Sequence, residues 1–268
     1  MFSSGPSSQR LDTRERLDTQ FRADVELAAR SDARVLVLGE TGSGKEATAR
    51  LIHALGPRRH APFVGMSCSG MPDTPFQSKL FGHRPDRVTG AAADADPSGV
   101  MSVAAGGTLF LDHVAELSLH MQATLLRFIQ TRNPPQIAAN KSLDVRVIAA
   151  TNRDLYAQTI KREFNEDLYY RLNVILIRVP PLRARTADVL PLLRDFLAAA
   201  SQAHGAPCPE LTPGAQALLS AYSWPGNVRQ LKNIAEQLVV RQEGQSVTIR
   251  DLPPEILRAK DDKSLDAP

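Results

Sequence analysis

Short apolar runs and helical apolar spacing alternate along the first two thirds of the chain. Val35–Leu38, Phe63–Met66, Thr108–Leu111, Val145–Ala150 and Val174–Ile177 are brief runs bounded by polar or turn-forming residues, and each reads as a buried strand. Between them lie stretches with helical spacing: Leu11–Ala29 (Leu17, Phe21, Val25, Ala28, Ala29), Ala47–Leu55, Leu119–Gln130 and Asp154–Ile160. Strands alternating with helices predict an α/β fold, a parallel sheet covered on both faces. After Pro180-Pro181 the strands stop, and Asp188–His204, Pro213–Tyr222 and Val228–Arg241 are helical in pattern. The expected organisation is an N-terminal tail and helix (1–30), an α/β subdomain (31–180), a smaller all-helical subdomain (181–257) and a flexible tail (258–268). His83–Gly99 and Thr131–Leu143 fit neither element type, and long loops of this kind are functional or disordered.

The first strand runs straight into Gly39-Glu40-Thr41-Gly42-Ser43-Gly44-Lys45-Glu46, and a helical pattern follows. Strand, glycine-rich loop and helix start are the context a phosphate-binding loop requires. Its glycines let backbone N–H groups turn towards an anion, and the helix N-terminus adds unpaired N–H groups. Lys45 would reach the β- and γ-phosphates. Glu46 stands where a magnesium-binding hydroxyl is usual, so the next hydroxyl is Thr48.

Other strand ends carry chemistry as well. Gly106–His113 is an apolar strand ending in Asp112, an acid placed to hold magnesium through water. Val147–Asn152 ends in the polar pair Thr151-Asn152, suited to a γ-phosphate or a water. Trp224–Arg229 is a turn opening a helix with Arg229 in its first turn, and Arg171 lies in Asp167–Leu172, just before a strand.

Composition narrows the picture modestly. Across 268 residues, 43% are hydrophobic, enough for a substantial core, and the net charge of +3 comes without a dense basic block that would point to DNA. Cys68 and Cys208 have no metal-ligand spacing and suggest reduced thiols, hence a cytoplasmic setting. No apolar run approaches a membrane span, and the polar start is unlike a signal peptide.

In this order, the strings GETGSGKE, GGTLFLDH, DVRVIAATNRDL, EDLYYRLNVILIRVPPLRARTADV and WPGNVRQLKN resemble the AAA+ domain of bacterial sigma-54-dependent transcriptional activators. The resemblance covers Ser31–Leu257. It implies a nucleotide domain with a helical lid, forming a homo-oligomeric ring, or a mixed ring with a related activator, with ATP and Mg2+ between subunits. It further implies ATP hydrolysis coupled to remodelling of sigma-54 RNA polymerase. By the same resemblance Lys45 is the phosphate lysine and Asp112 the magnesium-organising acid. Thr151-Asn152 corresponds to the first sensor, Arg229 to the lid arginine that reads the nucleotide, and Arg171 to an arginine reaching into the neighbouring subunit's site.

The chain departs from the family at chemically costly positions. The catalytic Glu after Asp112 is His113, and the Asn that holds that Glu in reserve is Ser67. Asn165 stands where the family commonly has Arg, a second candidate finger. The sigma-contacting GAFTGA is here Asp86-Arg87-Val88-Thr89-Gly90-Ala91, so Val88 replaces the Phe anchor while Thr89, Gly90 and Ala91 persist. A positioned general base is worth about 10²–10⁴ in rate and an arginine finger about 10³–10⁵. The expectation is an ATP-binding regulatory module with impaired hydrolysis and an altered sigma-54 contact. The alternatives are an active ATPase using His113 as base, and a non-catalytic subunit that tunes an intact activator. The residues after Leu257 are too few for a DNA-binding domain.

Overall fold

A computed structural model of the chain describes residues 19–82, 99–132, 143–242 and 245–258. The expected N-terminal and C-terminal tails, most of the loop His83–Gly99 with its Val88–Ala91 contact residues, and most of Thr131–Leu143 lie outside the described residues. The chain divides into two compact units. One comprises 19–39 and 44–179, and the other joins 180–258 to the short segment 40–43.

The first unit is built on five strands: β1 (Val35–Leu38), β2 (Phe63–Ser67), β3 (Thr108–Asp112), β4 (Arg146–Thr151) and β5 (Ile175–Arg178). All pairings are parallel, in the order β2-β3-β4-β1-β5. β1 has the predicted bounds, β2 and β3 run one residue further, and β4 and β5 are shifted forward by one residue at both ends. The ladder explains the shifts. Ser67 pairs with Asp112 and Leu38 with Thr151, so backbone pairing carries polar residues into the strands that an apolar criterion leaves out.

Side chains alternate between two cores, as the period of a strand demands. Leu36, Leu109, Leu111, Val147 and Ala149 face one; Val35, Val37, Phe110, Ile148 and Ala150 face the other. Helix α1 (19–29 in the described residues) and α2 (Lys45–Ala54) cover the second face with Val25, Ala28, Ala49 and Ile52. The first face is covered by α3 (Asp73–Phe81), α4 (Gly99–Val103), α5 (Leu119–Thr131), α6 (Leu155–Ile160) and α7 (Glu166–Leu172). Helices α3, α4 and α7 are not among the predicted elements. In α3, Pro75 occupies the first turn, where its missing N–H breaks no helical bond. α7 begins at Asn165, whose side chain accepts from Leu168 N at 2.9 Å as an N-cap. No described helix is long and apolar enough to cross a membrane.

The second unit is helical: α8 (Val189–His204), α9 (Pro213–Ala221), α10 (Asn227–Gln242) and α11 (254–258). Its core gathers Leu193, Leu197, Leu219, Leu231 and Leu238 around Trp224, which is fully buried and donates from Nε1 to the Leu219 carbonyl at 2.9 Å. Segment 40–43 is bound into this unit by polar contacts. Glu40 accepts from Arg183 Nη1 at 2.8 Å and from Asn227 Nδ2 at 3.1 Å. Arg185 Nη2 donates to the Ser43 carbonyl at 2.6 Å, and Val228 N to the Gly42 carbonyl at 2.9 Å. Gly42 has φ +75°, and a Cβ there would collide with the Gly226 carbonyl oxygen, so glycine is required twice over.

Two outcomes follow from this packing. Trp224→Ala removes the centre of the helical core and a satisfied buried donor, and should cost about 3–5 kcal/mol; chemical denaturation followed by far-UV circular dichroism measures it. The Arg183 hydrogen bond, with Asn227 next, pushes the Glu40 carboxyl down to about 2. A depressed folded pKa means the clamp stabilises above the ordinary carboxylate value and is lost as pH falls towards that lower one. The helical unit should therefore weaken as pH drops from neutrality to 3, and Glu40→Gln should remove that part of the acid sensitivity. Fluorescence of Trp224, the chain's sole tryptophan, reads the unfolding in both proteins.

Candidate functional site

Because the five strands are parallel, the residues that follow β1, β3 and β4 emerge on one edge of the sheet. Gly39 leaves β1 with its N–H bonded to the Thr151 carbonyl at 3.1 Å, tying the loop start to the end of β4. Gly44, with φ +101°, turns the chain into α2. Lys45 is the first residue of that helix and is only 6% exposed, with Nζ donating to the Gly39 carbonyl at 3.0 Å. A lysine curled over its own loop, beside the unpaired N–H groups of a ten-residue helix, is an anion-binding arrangement. Thr48 is buried, and its hydroxyl donates back to the Gly44 carbonyl at 3.1 Å. Glu46 points to solvent and pairs with Arg50 at 2.8 Å, so it stands apart from the loop's interior.

At the end of β3, Asp112 lies opposite Ser67 of β2. His113 then adopts a left-handed conformation, φ +59°, which histidine tolerates better than most residues. Its N–H donates to Asp112 Oδ1 at 2.9 Å, and its Nδ1 lies 3.3 Å from Oδ2. Only the first of these is a hydrogen bond; Nδ1 is buried without a hydrogen-bond partner. Ser67 is exposed, and its hydroxyl accepts from Ser69 N at 3.2 Å. Next to it, the Cys68 thiol is pushed up by burial, with Asp112 and Glu116 adding to the effect, which keeps it a neutral thiol. Thr151 is buried and accepts from Arg153 N at 3.0 Å, while Asn152 is exposed just beyond β4.

The sheet edge thus brings together Gly39, Lys45, Asp112, His113, Thr151 and Asn152. Arg171 is not on it. It is exposed in the last turn of α7, ahead of β5, and Ile175 N bonds the Arg34 carbonyl at 3.2 Å just before β1. Arg171 therefore belongs to the opposite, N-terminal edge. In the helical unit, Arg229 is exposed in the first turn of α10; Glu40, Gly42 and Ser43 are held by the contacts described above, and the Thr41 carbonyl accepts from Asn227 Nδ2 at 3.2 Å. Arg183, Arg185 and Asn227 were missed as site residues. They lie inside the two strings PPLRARTADV and WPGNVRQLKN, but their partners are some 140 to 190 positions away, beyond any periodicity. Gln122 was also missed. It is fully buried, accepts from Asn165 N at 2.7 Å and donates to the Leu117 and Glu163 carbonyls, fixing the start of α7.

Comparison with known proteins agrees with this architecture. The sigma-54 interaction domain model matches residues 12–178, and the AAA+ ATPase lid domain model matches 183–267. The transcriptional regulatory protein ZraR of Klebsiella oxytoca is 44% identical over 231 residues, covering 85% of this chain and 52% of that protein. The Nif-specific regulatory protein of Azotobacter vinelandii is 43% identical over 226 residues, covering 84% of this chain and 43% of that protein. The chain thus spans about half the length of the curated relatives it matches. Among solved structures, NtrX of Brucella abortus in complex with ATP superposes with a TM-score of 0.79 at 32% identity, over 93% of this chain and 59% of that one. With the sheet, the glycine loop and the helical lid all accounted for by these matches, the chain belongs to the AAA+ sigma-54 interaction domain family of the sigma-54-dependent transcriptional activators.

Proposed function

We propose that this chain is an ATP-binding regulatory module of the sigma-54 activator type whose hydrolysis is impaired. The observation that carries the binding half is the buried Lys45 at the N-terminus of α2, behind a loop of glycines with positive φ, on the same sheet edge as Asp112. These residues fit a nucleoside triphosphate: Gly39–Lys45 would cradle the phosphates, and Arg229 would read them from the lid. Asp112 would hold Mg2+ through water, and the metal would supply charge neutralisation along the phosphates. Glu46, committed to Arg50, is not assigned a metal role.

The hydrolytic half is weakened at two places. His113 replaces the acid that would polarise water, and Ser67 replaces the Asn that would hold that acid in reserve. Asn165 caps α7 instead of projecting a cation, so Arg171 is the arginine left to act across a subunit boundary. An assembly of copies, or a mixed assembly with a related activator, is the setting in which Arg171 would work. Val88–Ala91 would meet sigma-54 RNA polymerase through a contact altered by the loss of the Phe anchor.

A second reading draws support from the Asp112–His113 pair. Asp112 Oδ2 lies 3.3 Å from a buried Nδ1 that forms no hydrogen bond, and a small turn of the ring would let the carboxylate orient the imidazole and leave Nε2 as the base, the logic of hydrolytic Asp–His pairs. On that reading the chain is an active ATPase.

Calorimetry should show Mg-dependent ATP binding that Lys45→Ala abolishes, and equal affinity in the two proteins would refute the binding proposal. Steady-state turnover separates the two readings of His113. If hydrolysis is impaired, the parent stays well below about 1 s⁻¹ and His113→Glu raises the rate, by up to about 10²-fold or more. A parent rate at or above that level, abolished in His113→Ala, establishes the histidine as base instead.

A further inference from the structure

The N-terminal edge of the sheet, away from the phosphate loop, carries a cavity of about 530 Å³. Its charged lining is Asp32, Arg34, Arg58, Arg132, Asp144 and Arg146, and Phe128, Ile129 and Leu143 form apolar wall. Both carboxylates are committed. Asp32 takes Arg58 in a bidentate pair at 2.8–2.9 Å, and Asp144 takes Arg58 at 3.1 Å with Arg132 at 3.7 Å.

Two guanidinium groups are left over. Arg146 is 2% exposed; its Nη2 and Nε donate to the carbonyls of Ala28 (2.6 Å) and Ala33 (3.3 Å), while Nη1 is buried without a partner. Arg34 has a buried, unpartnered Nε and no ion pair among the described residues. The charges that bear on it are of its own sign: burial first, then Arg171 and Arg132, hold its pKa below the ordinary arginine value. A half-buried guanidinium with no ion pair, in a cavity whose carboxylates are already engaged, is stabilised by an added anion.

We infer that Arg34, with Arg132 beside it and the buried Arg146 adding positive charge from behind, forms a phosphate-binding site in this cavity, distinct from the Lys45 loop. Guanidinium forks match phosphate oxygens bidentately. The cavity is also of small-ligand size, since such pockets run about 300–1,000 Å³. The apolar wall suits a phosphate carried on an organic body. That phosphate comes either free from solution or on the nucleotide of a second copy of the chain. The second source rests on the proposed function, in which Arg171, beside Arg34, acts across a subunit boundary.

The test uses two arms. In the first, pyrophosphate is titrated calorimetrically into the full chain carrying Lys45→Ala, which silences the loop. Adding Arg34→Met should weaken binding about tenfold or more, and Arg34→Lys should retain part of it; this result assigns the site to free phosphate. In the second, ATP-dependent association of the Lys45-intact chain is followed by sedimentation. A comparable loss in Arg34→Met, with single-chain ATP affinity unchanged, assigns the phosphate to a second copy. Thermal unfolding of each variant, and Arg34→Gln as a second substitution, separate loss of charge from loss of fold. The inference is overturned if folded Arg34→Met and Arg34→Gln proteins match their parents in both arms, including when the parents show no binding or association. A parent that fails to bind ATP defeats the proposed function but leaves the first arm intact.

Discussion

The backbone of β4 is the constraint on which the sheet unit depends. All six of its residues are buried, with β3 on one side and β1 on the other. A buried backbone group without a partner costs about as much as a lost hydrogen bond, and β3 pairs along Arg146–Ala149 while β1 pairs along Ile148–Thr151. That register fixes where the flanking strands end. Leu38 stops opposite Thr151, and the next amide, Gly39 N, is spent on the Thr151 carbonyl. The chain must leave the sheet there, and glycines then turn it into α2. Asp112, two positions beyond the residue paired with Ile148, arrives at the same edge by the same rule. Lys45 and an acid share one edge because the parallel strands β1, β3 and β4 end within a residue or two of one another on the common register.

At that edge the backbone does part of the acid's work. The left-handed turn at His113 aims its N–H at Asp112 Oδ1, so the carboxylate is held by the main chain whatever side chain follows. What the side chain changes is charge. A Glu at this place would set a second carboxylate beside Asp112, with Glu116 three residues further on, a cluster that needs a cation to be stable. An imidazole removes that demand and adds a contact of 3.3 Å to the remaining acid. On the proposed reading, replacement of an acid at His113 and of its Asn holder at Ser67 is one change in physical terms: without the second carboxylate nothing remains to be held back.

How far this could be read from sequence depends on the range of the interaction. Val35–Leu38 was legible to the residue because a buried parallel strand is a continuous apolar run between polar stops. The phosphate loop was legible because its chemistry is local: three glycines, a lysine and a helix start within eight positions. Helix α7 was not. Its cap, Asn165, is an ordinary capping signal, but the helix itself is only seven residues with two buried leucines, too short for helical periodicity to stand out. α3 was hidden by Pro75, which reads as a helix breaker until it is placed in the first turn. Glu40 was read as a loop residue among others. Its role as the clamp that ties segment 40–43 to Arg183 and Asn227 is tertiary, set by partners 143 and 187 positions away.

Three arginines in this chain illustrate why pairing, more than charge, indicates function. Arg183 is fully engaged: the Glu40 carboxylate receives it, its own pKa rises, and the carboxyl's falls. Such a pair fixes a loop and is complete without a ligand. Arg58, shared between Asp32 and Asp144, is complete in the same way and braces three segments of the sheet unit. Arg34 stands between the two kinds of site, next to Arg58 in the same cavity yet with its carboxylates already taken. Folding could have relieved it with one more acid at small cost, as it did for Arg58. An arginine kept half-buried among other arginines makes the empty unit slightly less stable and an anion-bound one more so. The free energy of its missing partner is then available to whatever phosphate arrives, and linkage makes that binding stabilise the fold in turn.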